Sequence, residues 1–221
     1  MNKFRQFAAG LVIAAFAVFA APANAGVILT FGQTGGGQTI TGTNIGGIST
    51  TITGTNVLVT ISGIDAALAP PIFAFLNLTA MSVSPAIVFA GNVIQEFSGT
   101  FTITSGLGGT GTNYLSGVFN DAVFGPPGGT SLTLSATQPP QTLSFTSDVI
   151  PDLGVPTAMS LGFANVTPPV GITGTSISSF TSSVAGTFSA NTERKVPEPA
   201  SLALLGIAML VLGVFLRRRS R

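Results

Sequence analysis

The sequence predicts an all-β domain, an antiparallel β-sandwich that could take the form of a jelly roll, between two terminal targeting segments. Three observations predict it. Hydroxyl-bearing and apolar residues alternate with a period of two in many short segments, and glycine or proline clusters separate these segments. Charged residues make up only 7% of the chain, against about 25% in an ordinary globular protein. Nearly all of the basic ones lie at the two ends.

The first 25 residues have the three parts of a secretory signal peptide. Lys3 and Arg5 provide a positive start, and an apolar run follows at 7–21 that is short for a membrane span. Small residues then mark a cleavage site. The residues of this predicted site are Ala23, Ala25 and Gly26. We expect cleavage before Gly26, and an uncleaved membrane anchor is the alternative.

An apolar segment followed by arginines ends the chain. Residues 200–216 carry no charge, and seventeen helical residues would span about 26 Å, close to the thickness of a bilayer's hydrocarbon core. Arg217, Arg218 and Arg219 follow directly. Because basic flanks stay on the cytoplasmic side, the pattern predicts a transmembrane helix that leaves the preceding domain outside.

Pro197, Glu198 and Pro199 come just before the apolar segment, and the two prolines favour an extended backbone there. Pro-Glu-Pro, a short apolar helix and an arginine-rich end, in a chain with a leader, together resemble the PEP-CTERM sorting signal. The resemblance covers residues 196–221. It implies processing by exosortase, a membrane-embedded cysteine transpeptidase of Gram-negative bacteria that also make exopolysaccharide. An unprocessed single-pass anchor is the alternative.

By the same resemblance, Pro197, Glu198 and Pro199 form the recognition motif, and the run from Arg217 to Arg219 forms the membrane stop. Five parts result: a signal peptide at 1–25, a Thr/Ser/Gly-rich β domain at 26–190, a linker with the Pro-Glu-Pro motif at 191–199, a transmembrane helix at 200–216 and a basic cytoplasmic tail at 217–221. Residues 26–195 suffice for one domain with a sizeable core. They hold six acids against two bases, a net charge of −4.

Five segments of the β domain alternate most clearly and are predicted strands with hydroxyls outside and Leu, Ile or Phe inside. They are 56–62, 99–104, 131–135, 142–146 and 159–163. Ile-Thr-Gly-Thr-Asn occurs at 40–44 and again at 52–56, which favours one hairpin of two similar strands over a repeat architecture. A short helix is expected from Ser62 to Leu68, ended by Pro70.

The composition excludes several kinds of chemistry. The chain has no Cys and no His, so it has no disulfide framework, no zinc–thiolate site, no cysteine nucleophile and no histidine base. Residues 7–193 contain no Lys or Arg, which excludes a lysine Schiff base and an arginine clamp and argues against a nucleic-acid partner. We therefore predict no catalytic residue, no metal site and no cofactor.

Three features of the β domain bear on its function. The loop at 106–111 matches G-x-G-x-x-G, but a predicted strand follows it, so a hairpin loop is favoured over a dinucleotide site. Five acids of the β domain, Asp65, Glu96, Asp121, Asp148 and Asp152, are interpreted as isolated solubilising residues, with a calcium loop or a hydrolytic pair as alternatives. Thr-x-Thr arrays at 39–43, 51–55 and 100–104 predict a solvent-facing hydroxyl surface, with ice binding as a remote alternative.

These observations predict a non-enzymatic exported protein. Its partners would be signal peptidase and exosortase as processing enzymes and the membrane through residues 200–216. It would be anchored transiently in the inner membrane and then delivered to the outer surface or the exopolysaccharide matrix of a Gram-negative bacterium. The alternative is a glycan-binding or adhesive module of a biofilm matrix, with exopolysaccharide as its ligand.

Overall fold

A computed structural model describes residues 25–35 and 39–192, and within them almost all regular structure is β-strand. The strands are β1 (Gly26–Gln33), β2 (Ile40–Ile45), β3 (Ser49–Ile64), β4 (Ile72–Ser82), β5 (Ile87–Phe89), β6 (Asn92–Thr104), β7 (Asn113–Gly125), β8 (Ser131–Gln138), β9 (Thr142–Thr146), β10 (Leu153–Thr167), β11 (Ile172–Thr173), β12 (Ser176–Ile177) and β13 (Phe180–Thr192). One 3-10 turn, Leu107–Gly109, follows β6. The predicted leader up to residue 24 and the predicted linker, membrane helix and basic tail from residue 193 lie outside the described residues.

One antiparallel sheet closes on itself. The neighbours run β1–β3–β4–β6–β7–β8–β10–β13, and β13 pairs with β1 to complete the circle. Each long strand therefore lies beside the next one in the chain, which is an up-and-down barrel of eight positions. The predictions of an all-β domain and antiparallel pairing are confirmed.

The predicted sandwich, with the jelly roll as one form of it, is wrong. A sandwich needs two separate sheets with exposed edges, whereas β6 pairs with β7 over twelve residues and joins the two halves of this sheet. Closure leaves few unpaired strand edges. Period-2 alternation places one face of each strand inside, and it does so equally in a sandwich and in a barrel. The alternation therefore could not separate the two architectures.

Three positions of the barrel are each filled by two strands that follow one another in line. β1 and β2 both lie between β3 and β13, β4 and β5 both lie against β6, and β8 and β9 both lie against β7. Pro139 and Pro140 separate β8 from β9, and proline cannot donate a hydrogen bond to a sheet ladder. These breaks make the strand count larger than the eight positions of the barrel.

The five predicted strand segments all lie within strands, and segment 142–146 coincides with β9. The predicted hairpin of the similar pentapeptides is also confirmed, since β2 pairs with β3 and places Thr41 opposite Thr53. The short helix predicted from Ser62 is wrong. β3 continues to Ile64, and the amide of Asp65 donates to the carbonyl of Ile28 at 2.8 Å, so sheet hydrogen bonds take the place of a first helical turn.

Phenylalanine rings from opposite walls fill the interior. Phe101 of β6 and Phe188 of β13 lie four positions apart in the circle of eight, yet their ring centroids are 4.8 Å apart and the rings stack. Phe145 packs edge-on against Phe188 at 5.7 Å, and Phe31 stacks on it at 6.0 Å. An eight-stranded barrel either fills with side chains or holds one small ligand, and the Phe cluster fills this one.

Glycines on neighbouring strands make room for these rings. Gly186 lies opposite Phe31, and Gly117 lies between Phe101 on one side and Phe145 on the other. A Cβ at Gly117 would fall 2.5 Å from a backbone oxygen and 2.8 Å from the Phe101 ring. Such pairs, in which an aromatic ring covers a glycine across strands, let large side chains pack inside a narrow barrel.

Both ends of the described domain meet at one end of the barrel. Gly26, the first residue of β1, pairs with Ala190 of β13. An even number of alternating strands returns the chain to the end where it began, so Gly26 and Thr192 share this end, which we call the proximal end. The opposite end, with the β2–β3 turn and the β5–β6 turn, is the distal end. Residues 26–192 therefore contain a complete core and a closed hydrogen-bond ladder.

Candidate functional site: the outer wall and two ends of the barrel

The residues predicted to direct sorting flank the proximal end in the chain. Ala25 and Gly26 of the predicted cleavage site are exposed, and β1 begins at Gly26. Ala23, the Pro197–Pro199 motif and the Arg217–Arg219 stop lie outside the described residues. β13, the last of the described strands, ends at Thr192, five positions before Pro197 in the sequence.

An open depression of about 430 Å³ lies beside the end of β13. It is lined by Gly26, Val27, Ile28, Gly63, Ile64, Asp65 and Thr192. The hydroxyl of Thr192 donates to Oδ2 of Asp65 at 3.4 Å, so the last described residue is tied to the loop after β3. The depression contains one carboxylate and no base, and it joins the first and last strands.

The five acids of the β domain do not form one cluster. Asp65, Asp148 and Asp152 lie in loops or at strand ends of the proximal end, whereas Glu96 and Asp121 lie on β6 and β7. Oδ2 of Asp148 accepts a hydrogen bond from the amide of Asn113 at 2.8 Å, which fixes a loop. Within residues 25–35 and 39–192, no group of three or more acids is placed to hold a metal ion.

Asp121 lies on β7 in a half-buried environment that changes its pKa. Oδ1 accepts a hydrogen bond from the amide of Ala122 at 2.7 Å, beside the break between β8 and β9. Burial raises the pKa of Asp121 above its ordinary value of 3.8, and the charge of Glu96 adds to the rise, while hydrogen bonds from Ala122 and Thr137 oppose it. Glu96 itself is exposed. With no base in the barrel, this carboxylate has no cationic partner there.

A row of six threonines crosses the outer wall. Strand registers place Thr167, Thr181, Thr41, Thr53, Thr79 and Thr100 opposite one another in turn, on six successive strands. All six are exposed or half-buried. The predicted hydroxyl surface is therefore present, but it curves around a closed sheet and forms no extended plane. Thr104 of the predicted arrays is buried, because the ladder shifts between Ile103 and Thr104.

A buried polar network that the sequence did not reveal closes the distal end. Nε2 of Gln95 donates to Oγ of Ser176 and to the carbonyl of Ser84, both at 2.8 Å. Oε1 of Gln95 accepts from the amide of Ile177 at 3.0 Å, and the hydroxyl of Thr50 bonds that of Ser176 at 2.7 Å. This network holds the β11–β12 hairpin over the barrel. Alternation predicts only that Gln95 faces inward, between Val93 and Phe97, and no sequence pattern identifies its partners.

The G-x-G-x-x-G match is the loop between β6 and β7, as predicted. Oδ1 of Asn56 accepts a hydrogen bond from the amide of Gly108 at 2.6 Å. Oδ1 of Asn77 in turn accepts one from the amide of Asn56 at 2.9 Å, which fixes the loop against the outer wall. A strand follows the loop in place of the helix that a dinucleotide site requires.

One segment of this chain matches a known family model. Residues 195–219 match the family model of the PEP-CTERM protein-sorting motif. The chain thus carries the PEP-CTERM sorting motif that its C-terminal residues resemble. The motif implies an exported protein that passes through the membrane of a Gram-negative bacterium and is processed by exosortase. No curated protein and no solved structure matches the chain. Among the described residues, no helix has the length and apolarity needed to cross a bilayer.

Proposed function

We propose that this chain is a non-enzymatic structural protein of the cell surface or exopolysaccharide matrix, delivered by exosortase-type processing near residues 197–199. The observation that carries the proposal is the sorting motif at 195–219, directly after a closed barrel. Signal peptidase and exosortase are its processing partners, and residues 200–216 hold it in the inner membrane until release. In this proposal the chain carries the sorting signal, and signal peptidase and exosortase cleave the chain.

The barrel supports a structural role through its interior and its charge. Stacked Phe rings occupy the space where a small barrel would hold a substrate. The acids are dispersed, and residues 26–192 contain no Lys, Arg, His or Cys to serve as base, clamp or nucleophile. Hydroxyls on the outer wall keep the surface hydrophilic without charge. This favours a passive component over a hydrolase.

The sorting proposal is tested by changing the motif. In the producing bacterium, Glu198→Ala should leave the precursor in the inner membrane, because the Pro-Glu-Pro segment at 197–199 loses its only charge. Glu193→Ala is the matched control, since Glu193 lies just outside the match at 195–219. Fractionation and intact mass would show release and both cleavage sites. Normal release of the Glu198→Ala protein would refute the proposal.

The threonine row favours glycan binding as a second candidate function. Its hydroxyls can both donate and accept hydrogen bonds, and its methyl groups offer apolar contact to sugar rings. The row carries no charge, which suits a neutral polysaccharide. Retention of residues 26–192 on the producer's polysaccharide should fall when Thr53 and Thr79 are both changed to Val. Thr187→Val, which alters an exposed threonine of β13 outside the row, should leave it unchanged. Equal retention of all variants would exclude the row as the binding surface.

A further inference from the structure

We propose that the distal end of the barrel is a self-association surface, where β5 of one copy pairs antiparallel with β5 of a second copy. β5 (Ile87–Phe89) pairs with β6 on one side. On its other side no strand of residues 25–35 and 39–192 pairs with it. Ile87, Val88 and Phe89 are 55%, 61% and 66% exposed, a high degree for three consecutive apolar residues. Exposed apolar edge strands are templates for pairing with another chain.

The hairpin geometry shows which backbone groups are available. Phe89 lies opposite Asn92 across a two-residue turn, and the turn residues Ala90 and Gly91 have φ of 48° and 78°, as in a type I′ turn. The pair that closes such a turn exchanges both hydrogen bonds, and the next pair does not. The N–H and C=O of Val88 therefore point away from β6, toward the outer edge of β5, where the amide of Ala86 two residues earlier is bonded to the carbonyl of Thr175.

If two copies are related by a two-fold axis at Val88, the N–H and the C=O of Val88 both find hydrogen-bond partners. The N–H of Val88 would donate to the C=O of Val88 in the second copy, and the reverse bond would form by symmetry. Ile87 would lie opposite Phe89 of the other copy. The interface is thus the same patch on both copies, as closed two-fold symmetry requires. The result is a continuous β6–β5–β5–β6 ladder across the dimer.

Apolar side chains extend the surface on both sides of β5. Ile87, Ile94 and Phe124 lie opposite one another on β5, β6 and β7, and Phe124 is 41% exposed. Ile48 of the β2–β3 turn is 78% exposed. It lies next to Gly47, whose carbonyl accepts from the amide of Thr175 at 2.7 Å, and the carbonyl of Thr175 accepts from the amide of Ala86 at 2.8 Å. These bonds hold the turn beside the start of β5.

Size and charge favour a second copy as the occupant. Apolar patches of more than a few hundred Å² are rare on monomers, and a stable interface needs about 800 Å² from each partner. The patch contains five exposed apolar side chains, and two of them, Phe89 and Phe124, are aromatic, the kind of side chain that buries about 150–250 Å² when fully covered. None of them is charged, and three of the five barrel acids lie at the proximal end, so two copies joined distally keep most of their negative charge apart.

Cross-linking tests the proposal in the full-length chain, which has no cysteine of its own. Val88→Cys should give a covalent dimer under mild oxidation in the producing cells, because the two-fold axis brings the two positions within disulfide distance. Thr187→Cys, an exposed position on β13 away from the surface, should stay monomeric. Equal cross-linking of the two variants would overturn the proposal.

Light scattering of residues 26–192 at increasing concentration gives the second readout. Val88→Pro removes the outward N–H without touching the bonds to β6, so the association constant should fall at least tenfold, with an unchanged circular dichroism spectrum. Val88→Thr keeps the N–H and should associate within a few-fold of the parent. A parent protein that stays monomeric at all concentrations, or that associates only with phospholipid vesicles, would refute pairing with a second copy.

Discussion

Gly186→Ala tests whether the barrel interior is as tightly packed as the Phe cluster indicates. Gly186 lies on β13, opposite Phe31 of β1 and Leu161 of β10. A Cβ at this position would fall 2.3 Å from a ring carbon of Phe31 and 2.7 Å from Cδ2 of Leu161, well inside van der Waals contact. Phe31 cannot move freely, because its ring is 3% exposed and stacks on Phe188.

The expected loss follows from two opposing effects. Overpacking a filled core destabilises by about 1–3 kcal/mol. Replacing glycine also lowers the conformational entropy of the unfolded chain, which stabilises by about 0.4–1 kcal/mol where the native backbone permits it. Gly162→Ala serves as the control, because it changes the entropy of the unfolded chain without overpacking the core. Gly162 lies on β10 in an exposed position, and a Cβ there would meet nothing within 4 Å.

The difference between the two variants should therefore equal the overpacking cost of about 1–3 kcal/mol, since both share the gain from the unfolded chain. At about 2–4 °C per kcal/mol for a domain of this size, Gly186→Ala should melt roughly 2–12 °C below Gly162→Ala. Thermal unfolding of residues 26–192, followed by circular dichroism, measures this. Adding Phe31→Leu should restore part of the loss, because the two positions are in contact. Equal melting temperatures for Gly186→Ala and Gly162→Ala would show that the interior is not filled as described.

Two further predictions concern the polar groups of the barrel. Gln95→Leu keeps the side-chain volume but leaves the amide of Ile177 and the carbonyl of Ser84 without their partner, so the free energy of unfolding should fall by about 1–3 kcal/mol. Amide hydrogen exchange at Ile177 should speed up, and unchanged exchange would contradict the role of Gln95 in holding the hairpin. For Asp121, the raised pKa means that the folded protein binds its proton more tightly than the unfolded chain, so stability should rise as pH falls through the folded-state pKa and should stop rising below 3.8. Asp121→Asn should remove this contribution from a plot of melting temperature against pH from 7 to 3, and identical profiles for variant and parent would contradict it.

Sequence alternation located the strands because burial on one face of a strand leaves a period of two in the residues themselves. The segment 142–146 and the hairpin of 40–44 with 52–56 show this well. The helix expected from Ser62 failed for a related reason. A capping pattern is local, whereas the amide of Asp65 bonds to Ile28 in a distant strand, and tertiary pairing overrides a local preference of that size.

The candidate surfaces were predictable to different degrees. Hydroxyls were expected outside, but only strand register shows that threonines of six strands form one row, because register depends on which strands pair. The available edge of Val88 could not be predicted, since it depends on a turn conformation and on which of the described strands pair with β5. Gln95 finds its partner Ser176 81 positions away in the chain, which no local pattern can indicate.

The sequence by itself determined the sorting signal of this protein and the kinds of chemistry that its side chains cannot perform. Sorting signals are read by enzymes as short linear segments, so Pro197, Glu198, Pro199 and the arginines that follow the apolar run carry their meaning without a fold. The absence of His and Cys, likewise, is a matter of composition. Only the tertiary structure decided that the sheet closes, that Phe rings from opposite walls meet inside it and that both chain ends share one end of the barrel. Closure depends on β13 returning to pair with β1, a contact between residues about 160 positions apart, and such long-range pairing leaves no trace in local periodicity.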